Sequence, residues 1–188
     1  MVELNNFRVA VLAADGFEEA ELTEPVRALK EAGATVEILS TQSGEIQAFR
    51  HHDKSIQVPV NGTIEEAHPS SYHAVLLPGG ALNADFLRVD PKVQYFLQKM
   101  NETGKPIAAI CHAPWELISA GLVRGRTLTS YNTIQDDIIN AGGNWIDREV
   151  VVDGNWVTSR QPDDIPAFNT EMLNLFSERR ETATMGLR

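Results

Sequence analysis

Cysteine occurs once in the 188 residues, at position 111, so the chain has no internal disulfide available and nothing in it asks for an oxidising compartment. No apolar run approaches the length of a bilayer span. Basic residues are scarce: 16 Lys and Arg against 26 Asp and Glu leave a net charge of -10. That balance disfavours a nucleic-acid or anionic-membrane surface, because phosphate binding needs clustered cations. The nearest approach to a basic cluster, Arg124 with Arg126, is too small to be a footprint. No group of residues has metal-ligand spacing, and no glycine-rich loop has the phosphate-binding pattern, so neither metal nor cofactor is expected. The opening Met1 to Phe7 has neither the basic region nor the apolar stretch of a signal peptide. The expectation is a soluble, cytoplasmic protein.

What is present reads as one domain over residues 1–188, with a core from about 8 to 176 and a frayed tail over 178–188. A chain of this length buries roughly 70% of the surface its unfolded form exposes. Arg8 to Ala14 and His73 to Leu77 are nearly continuous apolar runs, as strands buried on both faces of a parallel sheet must be. Between them, Leu22, Val26, Leu29 and Ala32 recur at helical spacing before Gly33, and Thr35 to Ser40 is a second strand. Pro25 predicts either a kink or a helix that starts there with Thr23 or Glu24 as cap. Glu45 to Phe49 and Ser55 to Val60 suggest a hairpin outside the main sheet. Asp90-Pro91 opens a helix bearing Val93, Phe96, Leu97 and Met100; Ile107 to Ile110 is a strand; a helix follows over about 114–120. Thr127 to Ser130 is a short strand and Thr133 to Ala141 a helix. Asp153-Gly154-Asn155 turns a second hairpin, and a last helix begins near Pro162. Strands alternating with helices predict an α/β fold, a mostly parallel sheet sandwiched by helices, with the site beyond the carboxyl ends of the strands.

Three segments end there with unusual residues: Asp15 to Glu21, Pro78 to Asp85, and Cys111-His112. The strand into Cys111 stops at the cysteine and a helix pattern starts at once. This is how a nucleophile elbow exposes its side chain above a sheet edge, with backbone N–H groups of the next helix directed at it. Ala109 and Ala113 supply the small residues such a turn demands two positions to either side. Free cysteine is often an inert buried hydrophobe, but the apex position favours a reactive thiol. His112 is the imidazole of the elbow and a candidate base, although residues adjacent in sequence need not face each other. His51, His52, His68 and His73 fall in irregular or edge segments and read as surface residues. Glu18 and Glu21, three apart, share a helix face, while Glu19 and Glu24 suit the helix dipole. Gly79-Gly80 permits a close backbone approach and, with the His112 N–H, an oxyanion site. Tyr131 and Arg124 are candidates for the pocket or a subunit interface.

The stretches Gly16 to Leu22 (GFEEAEL), Leu76 to Gly80 (LLPGG), Gly104 to Pro114 (GKPIAAICHAP) and Leu117 to Arg126 (LISAGLVRGR) resemble the superfamily of PfpI-type intracellular proteases and parkinsonism-associated deglycases. Thr129 to Tyr131, Glu149 to Arg160 and Pro162 to Asn169 resemble its PfpI branch, which includes bacterial stress proteins. The resemblance implies the class I glutamine amidotransferase-like, or flavodoxin-like, sandwich. It also implies that Glu21 lies against the Cys111 sulfur with Glu18 close by, and that Asp85 contributes to a neighbouring subunit's site in a homodimer or larger homo-oligomer. Beside a thiolate, Glu21 is expected to be protonated and to relay protons. Three departures stand out. Ala113 replaces the usual glycine after Cys-His, one extra residue precedes Asp85, and Trp115 takes a position often polar.

Three functions remain open on this reading. One is cofactor-independent chemistry on methylglyoxal, glyoxal or their early protein adducts, of deglycase or glyoxalase type. The second is a cysteine peptidase using Cys111, His112 and a partner's Asp85. The third is a stress sensor or holdase for unfolded protein, with Cys111 oxidised to a sulfinate.

Overall fold

The computed structural model describes residues 2–185, with side chains as far as Arg179. In chain order the strands are β1 (Arg8–Leu12), β2 (Phe17–Glu18), β3 (Thr35–Ser40), β4 (Glu45–Arg50), β5 (Asp53–Pro59), β6 (Gly62–Thr63), β7 (Ala74–Leu77), β8 (Ile107–Ile110), β9 (Thr127–Leu128), β10 (Asn144–Trp145), β11 (Val150–Asp153) and β12 (Trp156–Ser159). The helices are α1 (Glu19–Glu31), α2 (Ala81–Arg88), α3 (Pro91–Glu102), α4 (Pro114–Ser119), α5 (Gln135–Asn140) and α6 (Ile165–Met185).

The apolar runs do become the buried strands. A seven-stranded sheet runs β11-β12-β8-β7-β1-β3-β6, and every pairing is parallel except the β11–β12 hairpin. Because side chains alternate across a sheet, Val9 and Val11 face one layer while Ala10 and Leu12 face the other. The first layer is α1 and α6, whose Leu22, Leu29, Phe168, Met172 and Phe176 pack on Val9, Val11, Leu76 and Ile110. The second is α3, α4 and α5, bringing Phe96, Leu97, Met100, Leu117 and Ile138 against Leu12, Leu77 and Ala109. This is the α/β sandwich the alternation of strands and helices predicts.

From β1 the chain adds β3 and β6 on one side; it then crosses back to β7 and adds β8 and β12 on the other. The order of addition therefore reverses between β1 and β7, and a crevice opens at their carboxyl ends. The hairpin β4–β5 stands outside the main sheet, as expected, and the short β2 joins it as a third strand. Glu19 in the first turn of α1 ties that hairpin down through a bidentate pair with Arg50, at 2.9 and 3.0 Å.

Some expectations need correction. Of the two readings of Pro25, a helix starting there with Thr23 or Glu24 as cap is excluded: α1 begins at Glu19 with Glu18 at its cap, and Pro25 lies buried inside it. Its ring removes one donor, the N–H that would meet the Glu21 carbonyl, and burial beside Leu22, Val26 and Leu29 compensates. The segment after Gly80 forms α2, a helix the sequence reading did not place. The tail expected from residue 178 is helical as far as Met185, and its last three residues lie outside the described residues. No helix among the described residues is long and apolar enough to cross a membrane.

Candidate active site

The crevice at the reversal point is a pocket of about 760 Å³. Cys111 sits at its base as the first residue beyond β8, only 7% exposed. Its φ of 64° places a non-glycine residue in the left-handed region, the strained conformation that turns a strand sharply into a helix. Surrounding bonds hold this strain in place. The Cys111 N–H donates to the Ser159 carbonyl at 3.0 Å, prolonging the β8–β12 ladder, and its carbonyl accepts from the Tyr131 N–H at 2.9 Å. Ala109 and Ala113 are fully buried beside the apex. Ala113 replaces glycine without penalty because its φ is -55°, an ordinary helical value.

Glu21 reaches the same point from α1. It is fully buried, and neither carboxyl oxygen has a hydrogen-bond partner at ordinary geometry. Gly79 is the surface on which it meets the cysteine. A Cβ there would overlap Glu21 Oε2 and lie 2.5 Å from Cys111 Cβ. Burial, reinforced by the charge of Glu18, pushes the Glu21 carboxyl up to about 8, so it is predominantly protonated at neutral pH. Burial also raises the Cys111 thiol, and an ionised Glu21 would raise it further, whereas the N–H groups of Gly80 and His112 favour the thiolate. A proton on Glu21 removes the charge that would otherwise oppose the thiolate, leaving burial as the main force against it.

His112 turns its ring to the sulfur, with Nδ1 3.1 Å from Sγ. Nε2 is 3.3 Å from Thr133 Oγ1, and the ring stacks on Tyr131 at 4.9 Å and meets Trp115 edge-on at 5.3 Å. Burial lowers its pKa, leaving the imidazole neutral at pH 7 and able to accept a proton. Trp115 is itself fixed by its indole N–H donating to Asp137 at 2.7 Å.

Opposite the cysteine, the Gly79-Gly80 turn is held open by Asn83. This buried amide donates to the carbonyls of Pro78 (3.0 Å) and Gly79 (3.1 Å) and accepts from the Ala14 N–H at 2.7 Å. It thereby ties the end of β1 to the end of β7. Gly80, at φ 95°, packs so closely on residues 16–18 that a Cβ would lie 2.7 Å from the Glu18 N–H nitrogen. Its own N–H serves the sulfur, and that of Gly79 serves Glu21.

The structure thus brings Glu18, Glu21, Gly79, Gly80, Cys111, His112 and Tyr131 together. It does not bring Asp85 or Arg124 to them. Asp85 is on the exposed side of α2. Arg124 is exposed against Gly142, two residues before Arg126, which bonds Asn101, Asp153 and Asn155 at the amino end of β12. Since α4 carries the chain from the carboxyl ends of the strands back to their amino ends, Arg124 emerges at the wrong end of the sheet for the pocket. Residues unforeseen from sequence are Asn83, Thr133 and the pair His51 and His52. These two histidines line the pocket mouth from the β4–β5 turn, where Glu18 accepts the His51 N–H at 3.0 Å.

With this geometry in view, comparison with known proteins is informative. The family model described as the DJ-1/PfpI family matches residues 7–175. The deglycase PfpI of Pyrococcus furiosus is 45% identical over 168 residues, covering 89% of this chain and 98% of its own. General stress protein 18 of Bacillus subtilis is 39% identical over 172 residues, 91% of this chain and 98% of that protein. Among solved structures, Drosophila melanogaster DJ-1beta superposes with a TM-score of 0.84 at 26% identity, covering 96% of this chain and 97% of that one. Likeness of this extent in both sequence and fold, running through every segment that forms the pocket, makes the chain a member of the DJ-1/PfpI family.

Proposed function

We propose that the protein is a cysteine-dependent, cofactor-independent enzyme acting on reactive carbonyls: methylglyoxal, glyoxal or their early protein adducts. The observation that carries this reading is the pairing of Cys111 with a fully buried Glu21 whose proton affinity lies close to working pH. The naming of the Pyrococcus relative as a deglycase supports it.

On methylglyoxal the steps run as follows. His112 Nδ1 accepts the thiol proton, and the thiolate attacks the aldehyde carbon. A C–S bond forms and the carbonyl oxygen takes the proton of Glu21, giving a hemithioacetal. The N–H groups of Gly80 and His112 are the donors nearest the developing oxyanion. The Glu21 carboxylate then removes the C–H proton, and the neighbouring carbonyl oxygen accepts the proton held by His112, leaving an enediol. Glu21 protonates the second carbon while the first hydroxyl returns its proton to Glu21. The product is a lactoyl thioester on Cys111. Water adds with His112 as base, the C–S bond breaks, the sulfur regains a proton, and lactate leaves. Atoms balance as methylglyoxal plus water giving lactate and a proton, with no external oxidant or reductant.

A peptidase reading needs Asp85 from a second copy. Asp85 shares α2 with Leu82 and Phe86, and Val89 follows the helix directly; the three are 63%, 58% and 72% exposed, and Leu82 also borders the pocket. These features support a homo-oligomer that covers α2. They do not by themselves favour peptide cleavage. The test is lactate production from methylglyoxal, with amine release from methylglyoxal-treated peptide, by wild type and Cys111→Ala, alongside an unmodified peptide. Lactate and amine are expected from wild type alone, with the unmodified peptide intact. Peptide cleavage without lactate would overturn the reading in favour of the peptidase.

A further inference from the structure

A second cavity, of about 420 Å³, runs along α3 from Lys92 in its first turn to Thr103 just past its last residue, and reaches Lys105 before β8. Its walls are the loop before β7, which includes Pro69 and Ser70, and the side of α3 that carries Tyr95 and Phe96. The chain as a whole is strongly acidic, yet Lys92, Lys99 and Lys105 line this cavity against a single carboxylate, Glu65. Lys92 is paired with Glu65 at 3.0 Å and Lys99 with Glu102 at 2.6 Å. Lys105 is different. Its ammonium donates to the Pro69 carbonyl at 2.9 Å and, at the 3.5 Å limit, to that of Ser70, and no ion pair to it occurs among the described residues.

A partly buried ammonium without a counter-ion is costly, because carbonyl dipoles replace only part of its hydration. Burial accordingly pulls the Lys105 pKa down, and its charge is felt as far as His73. Three donors belong to an ammonium, and the carbonyls here engage at most two of them. Beside it, Tyr95 presents half its surface to solvent, with Lys99 Nζ 5.6 Å from its ring centre, and Phe96 closes the apolar wall. The cavity therefore combines lysine side chains along its length with an exposed aromatic ring.

We propose that this cavity binds a small organic anion, a carboxylate or phosphate ester on a planar apolar body, with Lys105 receiving the charge and Tyr95 the body. Its volume falls within the roughly 300–1,000 Å³ typical of small-ligand sites. The proposal is independent of the chemistry assigned to Cys111.

Calorimetric titration of the full chain with phenyl phosphate, inorganic phosphate and benzyl alcohol tests it. Phenyl phosphate should bind saturably, inorganic phosphate more weakly, and benzyl alcohol not measurably. Lys105→Met should weaken phenyl phosphate about tenfold or more, as loss of a charge-assisted hydrogen bond does. Tyr95→Ala should weaken it too, and Cys111→Ala should leave it unchanged. Tyr95 is exposed, so that variant carries the test if Lys105→Met does not fold. Absence of saturable binding, indifference to both Lys105→Met and Tyr95→Ala, or loss of binding in Cys111→Ala would each overturn the proposal.

Discussion

At the scale of the residue, the account rests on a carboxyl that keeps its proton. Glu21 is fully buried beside Cys111, and desolvation, with the charge of Glu18, moves its pKa from 4.5 to about 8. An acid so placed can give up and regain a proton within one catalytic cycle, as a solvated carboxylate cannot. Glu21→Gln preserves the shape and the neutral charge but removes the titratable proton. Its kcat/KM on methylglyoxal should fall by about 10²–10⁴. The wild-type pH profile should show an ionisation near about 8 that the variant lacks, read from initial rates of lactate formation across pH. Cys111 and His112 could be singled out from sequence because their residue types carry chemistry at a marked position, whereas Glu21 stood out from its acidic neighbours through the family resemblance. Asn83 could not. An asparagine after Gly-Gly-Ala-Leu looks like any helix-surface residue, and only the tertiary fold shows that its amide fastens β1 to β7.

At the scale of the element, two features decide how well the site is built. The turn between β7 and α2 must let Glu21 and Cys111 meet across a residue without a side chain. Gly79→Ala should therefore cost about 1–3 kcal/mol in stability, the usual penalty for overpacking, and abolish turnover; urea denaturation and lactate assay would measure the two effects. The second feature is on α4. Glu116 is fully buried with both oxygens unpartnered, and burial pushes its pKa well up. Its neighbours on α4, Pro114 and Leu117, are buried apolar residues, so a neutral acid sits where a leucine would pack. Glu116→Leu should stabilise the protein at pH 7 by about 1–3 kcal/mol, seen as a higher Tm, because an unsatisfied buried polar group is removed. The helix that sequence patterning did not reveal, α2, has a physical reason for its obscurity. Leu82 and Phe86 face solvent while Asn83 is buried, which inverts the amphipathic signal.

At the scale of the whole molecule, the buried carboxyls link stability to pH. Glu21 holds a proton in the folded chain that the unfolded chain has lost between 4.5 and about 8. Its contribution is complete below the lower value and disappears as pH rises through the upper one, and Glu116 acts in the same direction. Wild type should thus lose stability from pH 5 to pH 9, and Glu21→Gln should lose less, by chemical denaturation at each pH. The sandwich was legible because β1, β7 and β8 are apolar runs interrupted at regular intervals by helical periodicity. The site was legible where a strand ended on unusual chemistry. What sequence could not supply was which end of the sheet a residue returns to, hence the absence of Arg124 from the pocket, and which loops fold over the pocket, hence the surprise of His51 and His52. The central claim is that Cys111 carries the substrate through a covalent intermediate resolved by Glu21. The most direct measurement is peptide mapping by mass spectrometry after rapid quenching of the methylglyoxal reaction. The account predicts a lactoyl adduct on Cys111 that decays as lactate appears and that fails to form at the normal rate in Glu21→Gln. Lactate released at full rate with no adduct on Cys111, or by Cys111→Ala, would contradict it.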